Sequence, residues 1–355
     1  MPGEPFPLYE GTDPRRSNRT DEDNSRQDLV RPLLMANKPS VGIIGTINYD
    51  RIIGNGFLLE DLGGIMYNLL GIHYLSRGQI QLKPAANFGY DIKEKLSAYL
   101  EGKCNIDCSG LYELKTNNPC VELRDIGEKG KDENLKHRVS KLTWGKISHL
   151  LACDMILVNF ISGYDVGLGT LMKLRDAYNG IIYMDIHSLV LGIDKDGRRF
   201  YRRPDNWKRY LGIPDIIQMN FKEAMTFFYP SQPFRRPTPS LIEALGTNLM
   251  SFEPKMAILS LGSKGAVLFY SENSTFKSHH AIPGLKKTRR GEATGCGDLL
   301  SAAFMVALLL GGKPEESLDY SVAVATEKFL RPGLAASSEL SPFKRNNPNQ
   351  PKNRH

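Results

Sequence analysis

The chain has 355 residues, 41% of them hydrophobic and 24% charged, and a formal net charge of +7. That length and apolar content suffice for one large domain, or one domain with a small appendage. No stretch reaches the 18 or more apolar residues of a membrane span, and the polar opening MPGEPFPLYEGTDPRRSNRTDEDNSRQ reads as neither a signal nor a transit peptide, which points to the cytoplasm.

The positive charge suggests an anionic partner but not nucleic acid. Its basic residues are spread over several segments, including Arg198–Arg203, Lys286–Arg290 and the C-terminal tail, whereas a nucleic-acid module would need a clustered basic face with aromatic platforms. Lys286, Lys287, Arg289 and Arg290 directly precede a candidate phosphate loop, where they would attract a polyphosphate. Five cysteines, an odd number, are expected to be reduced thiols. Cys104, Cys108 and Cys120 lie close together, with His137 as a fourth zinc ligand to consider, but their spacing fits no familiar metal pattern.

Residues 1–38 lack periodicity and read as a mobile extension. The folded domain is expected over 39–340, followed by a disordered tail over 341–355. Ser40–Asp50 reads as a buried strand delivering Asn48 and Asp50 at its C-terminal end, where open α/β sheets place ligands. Gly63-Gly64 then opens a helical pattern with Asn68 in its first turns. Such a pair either lets a ligand approach the backbone or makes a simple strand-to-helix turn. Gln79–Tyr90 follows as strand and loop, and Asp91–Leu100 as an amphipathic helix. Hairpin-like strands around Gly110–Tyr112 and Cys120–Arg124, then a charged loop over Gly127–His137, interrupt the α/β alternation. They suggest a small β lid over about 102–126.

Alternation resumes with a strand at Met155–Phe160, a helix at Leu168–Tyr178 and a strand at Gly180–Asp185, which implies a mostly parallel sheet with helices on both faces. Asp185 and His187 fall at the end of that last strand, where a histidine is either a hydrogen-bonded structural residue or a catalyst. After the strand Ile216–Met219, Asn220 and Glu223 share one face of a helix start. They suit an N-cap pair, and Glu223 also suits Mg²⁺ held through water. Residues 230–240 are Pro-rich and read as a loop. Gly262-Ser263-Lys264-Gly265 makes a tight turn between the strands Ala257–Leu261 and Ala266–Tyr270, bordering a nucleotide or merely closing a hairpin. A final helix spans Asp319–Leu330.

The most informative stretch is Gly291–Gly312, GEATGCGDLLSAAFMVALLLGG. Gly295 and Gly297 permit positive φ and keep side chains away from a ligand; a dozen apolar residues follow, and Gly311-Gly312 stops the helix. Thr294–Gly297 is therefore a loop feeding a buried helix, whose unpaired amides and dipole favour phosphate oxygens. Asp298, in the first turn, would stand beside a transferring phosphoryl group and accept a proton from an attacking hydroxyl.

Thr294-Gly295-Cys296-Gly297-Asp298 resembles the C-terminal signature of ribokinase-like, PfkB-type carbohydrate kinases, D-T-x-G-A-G-D. Asn48-x-Asp50, Gly63-Gly64 with Asn68, Asn220-x-x-Glu223 and Gly262–Gly265 fall in the family's order, so the resemblance spans about residues 40–335. It implies an α/β fold: a three-layer α/β/α domain with a mostly parallel central sheet and a small β lid. It also implies transfer of the γ-phosphoryl group of ATP, with Mg²⁺, to a hydroxyl of a sugar, sugar phosphate or nucleoside.

On the matching positions, Asp298 would be the base and the amides of Gly295, Cys296 and Gly297 the anion hole. Thr294, Gly262, Ser263 and Gly265 would lie by ATP, and Asn220 with Glu223 would organise Mg²⁺. Asn48, Asp50, Gly63, Gly64 and Asn68 would hold the acceptor. The resemblance raises a homodimer through the lid as a hypothesis, with no nucleic-acid or membrane partner. A sugar or sugar phosphate leads over a nucleoside, with Arg124, Arg202 and Arg203 as candidate partners for an acceptor phosphate.

Glu292-Ala293 replaces the signature's Asp-Thr, which keeps open a catalytically idle relative that binds nucleotide or sugar. Cys296 replaces Ala, as a small buried thiol or a redox-sensitive one. Asp185-Ile186-His187 stands where many relatives have Asp-x-Asn.

Overall fold

The computed structural model describes residues 38–54, 57–125, 131–232, 235–284 and 291–344. The chain begins with β1 (Ser40–Ile44), β2 (Tyr49–Gly54), β3 (Phe57–Leu62), α1 (Ile65–Leu75), β4 (Gln81–Gly89), α2 (Lys93–Leu100) and β5 (Leu111–Leu114). It continues through β6 (Cys120–Asp125), β7 (Lys131–Lys136), α3 (Trp144–Ile147), β8 (Met155–Asn159), α4 (Leu168–Ala177), β9 (Ile181–Asp185), β10 (Leu191–Ile193), β11 (Arg199–Tyr201) and α5 (Trp207–Leu211). The last third holds β12 (Ile216–Asn220), α6 (Phe221–Phe228), α7 (Pro239–Met250), β13 (Met256–Ser260), β14 (Ala266–Glu272), β15 (Thr275–Ala281), α8 (Cys296–Leu309) and α9 (Pro314–Leu330).

The main sheet has nine strands in the order β15-β14-β13-β12-β9-β8-β1-β4-β5. Its pairings are parallel except for β13 with β14 and β14 with β15, which form an antiparallel edge. Strand side chains alternate between two cores. Leu157, Tyr183, Ile216 and Ile258 join the core under α1, α8 and α9, whereas Ile156, Ile182, Ile217 and Leu259 join the one under α4, α6 and α7. These are the three expected layers, with near-continuous apolar strands covered on both faces. The parallel strands β8, β9 and β12 end at Asn159, Asp185 and Asn220, so the chemistry gathers along one edge of the sheet.

The lid differs from the sequence expectation. It is a four-stranded sheet, β3-β2-β6-β7, assembled from Tyr49–Leu62 and Cys120–Lys136 rather than from about 102–126. The strand at Leu111–Leu114 instead extends the main sheet beside β4. The charged segment read as a loop contains β7, which pairs antiparallel with β6; residues 126–130 lie outside the described set. A half-solvated strand of sequence KDENLK carries almost no apolar signal, and its partner β6 supplies the pairing that makes it a strand.

The first strand is also shorter than expected. β1 ends at Ile44, Asn48 lies in the following loop, and Asp50 belongs to lid strand β2. Close packing turns the chain there: a Cβ on Gly45 would lie 2.3 Å from Ile65 and 2.8 Å from the Asn159 carbonyl.

The Pro-rich loop gives way to α7, which the sequence reading did not anticipate although Thr238 caps it and Pro239 opens it. The expected mobile extension falls outside the described residues except for Lys38, as does the basic cluster Lys286–Arg290. Of the expected disordered tail, residues 341–344 are described and packed: the Phe343 amide donates to the Leu75 carbonyl at 3.1 Å, and its ring meets Tyr320. No described helix is long and apolar enough to cross a membrane. All five cysteines are free thiols.

Candidate active site

A cleft of about 770 Å³ lies between the ends of the parallel strands and the lid. Its walls include Asn48, Asp50, Gly64, Asn220, Glu223, Gly262, Ser263, Gly265 and Thr294 through Asp298. Five separate sequence motifs thus converge on one cavity.

Gly295 caps α8 at φ 80°, and Asp298 lies in that helix's first turn. The Cys296 amide donates back to the Ala293 carbonyl at 3.1 Å, so it is committed to holding the loop. Among the described residues, the amides of Gly295 and Gly297 make no hydrogen bond, and a Cβ on Gly297 would meet nothing within 4 Å. The surface open to an anion is therefore the helix mouth around Gly297, with the Cys296 amide already committed. Glu292 holds the loop from below: its carboxylate accepts from the Thr294 amide at 2.8 Å and the Thr294 hydroxyl at 2.7 Å.

The Asp298 carboxylate accepts a hydrogen bond from Asn159 Nδ2 at 2.7 Å, a contact the sequence reading missed. Burial raises its pKa above the ordinary carboxylate value, against the lowering effects of His187, the Asn159 hydrogen bond, its own amide and Lys328. The helix dipole does not dominate here, and Asp298 is a stronger base than a surface aspartate.

Asn68 occupies a different place from the one expected. It is fully buried behind Asp298, with Nδ2 donating to the Asp298 carbonyl at 2.8 Å and to Ser301 Oγ at 3.0 Å, while its Oδ1 accepts from Asn159. It is absent from the cleft wall because α1 packs against α8 with this face inward. Asn68→Ala is therefore expected to lower kcat and melting temperature, at about 1–3 kcal/mol for the orphaned buried groups, without raising the acceptor KM. Steady-state kinetics with a melting curve check this.

Gly63 is likewise off the wall. Its role is spatial, since a Cβ there would lie 1.8 Å from Asp50 Oδ2. Gly64, at φ 61°, presses within 2.3 Å of the Thr46 carbonyl by the same construction. Burial first, then the charges of Asp298, Glu133 and Glu292, push the Asp50 pKa up to about 8 against His187. Asn48 is 4% exposed, and its Oδ1 is buried without a hydrogen-bond partner among the described residues.

Asn220 and Glu223 form a complete capping box on α6. The Glu223 carboxylate accepts from the Asn220 amide at 2.7 Å and from Asn220 Nδ2 at 2.5 Å, and lies 3.8 Å from His187 Nδ1. Burial works against the charge on His187, but Glu223, Asp298 and Asp185 outweigh it and raise its pKa to about 10. Burial also holds Asp185 protonated well above the usual range. Asp185 accepts from Gln218 Nε2 at 2.7 Å, and the same nitrogen reaches the Gly297 carbonyl at 3.1 Å. Gln218 was not anticipated either; a strand glutamine has no local signal for such a bridge.

A model of the pfkB family carbohydrate kinases matches residues 199–340, the part that carries the capping box, the Gly262–Gly265 turn and the Asp298 loop. That stretch, less than half of the chain, is similar to the PfkB-type carbohydrate kinases. Among solved structures, a pyrophosphate-dependent kinase of the ribokinase family, in a sulfate complex, superposes with a TM-score of 0.69 at 18% identity, covering 82% of this chain and 96% of that one. Ribokinase from Arabidopsis thaliana, complexed with ribose and ATP, gives 0.62 at 16% identity, covering 86% and 96%. A nucleoside kinase from Methanocaldococcus jannaschii gives 0.59 at 17%, again covering 86% and 96%. No curated protein matches the chain.

At these identities the superpositions establish the fold. Among the described residues, those that fit Mg²⁺ are sparse. No group of three or more His, Cys, Asp or Glu side chains among the described residues forms a metal cage. Glu223 faces the cleft with lone pairs to spare, which suits a cation held through water and phosphate oxygens.

Proposed function

We propose that the protein is a kinase that transfers the γ-phosphoryl group of ATP to a hydroxyl of an uncharged sugar or related polyol. The observation that carries this reading is the juxtaposition at the head of α8: a buried, basic Asp298 oriented by Asn159, beside an open Gly297 amide. The acceptor hydroxyl would lie against Asp298 and lose its proton as its oxygen attacks the γ-phosphorus, while the bond to the departing ADP oxygen breaks. Negative charge on the phosphoryl oxygens would be met by the helix mouth and the Gly297 amide, fixed in advance and so costing no reorganisation. Mg²⁺ would be held through water by Glu223, with Asn220 fixing that carboxylate, and would neutralise phosphate charge. Gly262, Ser263, Gly265 and Thr294 line the donor arm together with Val322, Ala325 and Phe329, an apolar wall suited to a nucleoside.

At the acceptor arm, the orphaned Asn48 Oδ1 and the Asp50 carboxyl suit hydroxyl partners. Among the described residues that line the cleft, the cationic side chains are Lys222 and His187, and no arginine is present. Arg124 is bound to Glu122, and Arg203 lies over the Trp207 ring with a bond to the Phe227 carbonyl. Neither Arg124, Arg202 nor Arg203 lines the cleft, so a neutral acceptor is favoured over a sugar phosphate. The lid's outer strand β3 exposes Phe57 and Leu58, which supports a homodimer through the lid. A concentration-independent monomer mass by light scattering would remove that assembly.

The test is ADP release from ATP·Mg²⁺ across neutral sugars, cyclitols, sugar phosphates and nucleosides, with pyrophosphate as an alternative donor. Turnover with a neutral polyol and ATP supports the reading. Turnover with pyrophosphate alone moves the donor assignment, and nucleotide binding without any turnover favours a non-catalytic sensor.

A further inference from the structure

β7 brings a carboxylate into the cleft that no sequence motif marks. Glu133 lines the acceptor end with Asp50, Val121, Leu123 and Tyr201, and its side chain keeps 25% of its surface exposed. Behind it lies Arg199, on β11, with a side chain only 2% exposed and Nε 3.3 Å from Glu133 Oε1. Arg199 Nη1 donates to the Ser162 carbonyl at 2.8 Å, while Nε and Nη2 are buried without a hydrogen bond among the described residues, so the contact with Glu133 is an ion pair. A buried guanidinium is costly to desolvate, so it persists where a carboxylate compensates it.

The chain of contacts runs further. The Ser162 amide donates to Asp165 at 3.1 and 3.2 Å, and Asp165 accepts from Thr46 Oγ1 at 2.5 Å, one turn of chain from Asn48. β7 is also docked on the β10–β11 hairpin: the Leu135 amide donates to the Gly197 carbonyl at 2.9 Å, and Asn134 bridges to Arg198. Lid and body are thus joined at the acceptor end.

We infer that Glu133 is an acceptor-recognition residue, receiving a hydrogen bond from a hydroxyl of the polyol opposite Asp50, and that Arg199 is the positioning residue that fixes it. The inference rests on the kinase reading above and specifies how that site selects its acceptor. Burial pushes the Asp50 pKa up to about 8, and its protonated form has a hydrogen to give, whereas an ionised carboxylate only accepts. A hydroxyl does both, so two neighbouring hydroxyls satisfy the pair, and an anionic acceptor is repelled. A deoxy analogue leaves Glu133 without that hydroxyl partner.

The experiment uses the full chain and the neutral polyol that the acceptor panel identifies. Glu133→Gln is expected to raise the acceptor KM about tenfold or more with the ATP KM within twofold, and to lower the melting temperature because the buried Arg199 loses a compensating charge. Arg199→Lys keeps the charge and is expected to raise the acceptor KM by less. The double variant should be no worse than Glu133→Gln alone, because the arginine acts through the glutamate. An acceptor KM within twofold of wild type in Glu133→Gln overturns the inference while leaving the kinase intact. A wild-type protein that turns over no polyol with either donor removes the kinase reading and this inference with it.

Discussion

Asp298→Asn is expected to lower kcat by about 10²–10⁴-fold while ATP affinity, measured by calorimetry, stays close to wild type. The substitution preserves shape: an asparagine Oδ1 still accepts from Asn159 Nδ2, and the Asn68 bonds to the backbone carbonyl at 298 are untouched. What disappears is the proton acceptor. Burial holds the wild-type carboxyl above its ordinary pKa, and the working form is the ionised one. Wild-type activity should therefore fall on acidification at a pH above the usual carboxylate range, and that acid limb should vanish in the residual activity of the variant. The stability effect has the opposite sense. A carboxyl whose pKa is raised on folding is stabilised in its protonated form, and that advantage is lost as pH rises through the folded-state value. At neutral pH the variant should melt no lower than wild type. Turnover undiminished in Asp298→Asn would sink the mechanism.

Gly295→Ala should damage the fold and the site together. Its φ of 80° is strained for an L-residue, and its Cβ would lie 2.6–2.8 Å from the ring carbons of Tyr67. That ring has no room to retreat, being 2% exposed with Lys328 Nζ 5.3 Å from its centroid. Left-handed strain of about 1–2 kcal/mol and overpacking of about 1–3 kcal/mol both oppose the fold. Because Gly295 caps α8, any relaxation moves the Gly297 amide and Asp298 together. Gly297→Ala is the control: its Cβ meets nothing within 4 Å, so stability should change little while the ATP KM rises. Thermal melts and kinetics on the pair separate the two effects. Equal melting temperatures would show that the Tyr67 contact does not limit the loop.

The residues legible in the sequence share one property: their roles follow from neighbours close in the chain. A glycine that must take positive φ before a buried helix, an aspartate in the first turn, and an asparagine three residues before a glutamate are local arrangements. Their order along the chain also carried the fold class. The Pro239 helix start was equally local and was overlooked beside its Pro-rich loop.

The remaining parts were decided by packing between distant segments. Asn159 reaches Asp298 across 139 positions and Asn68 across 91, so the orientation of the candidate base depends on β8 and α1 arriving behind α8. For that reason Asn68, correctly placed in a helix's first turns, serves Asp298 rather than the cleft. The lid shows the same limit. β2 pairs with β6 some 70 residues away, as Asp50 with Val121, and β7 becomes a strand only because β6 offers it an edge. By itself the sequence determined the glycine loop at the head of α8 and the layered α/β plan, and marked Asp298 as the candidate base, because helix caps and glycine turns are fixed within a few residues. Only the tertiary structure decided which side chains line the cleft, because side-chain packing and strand pairing depend on residues that the chain brings together from far apart.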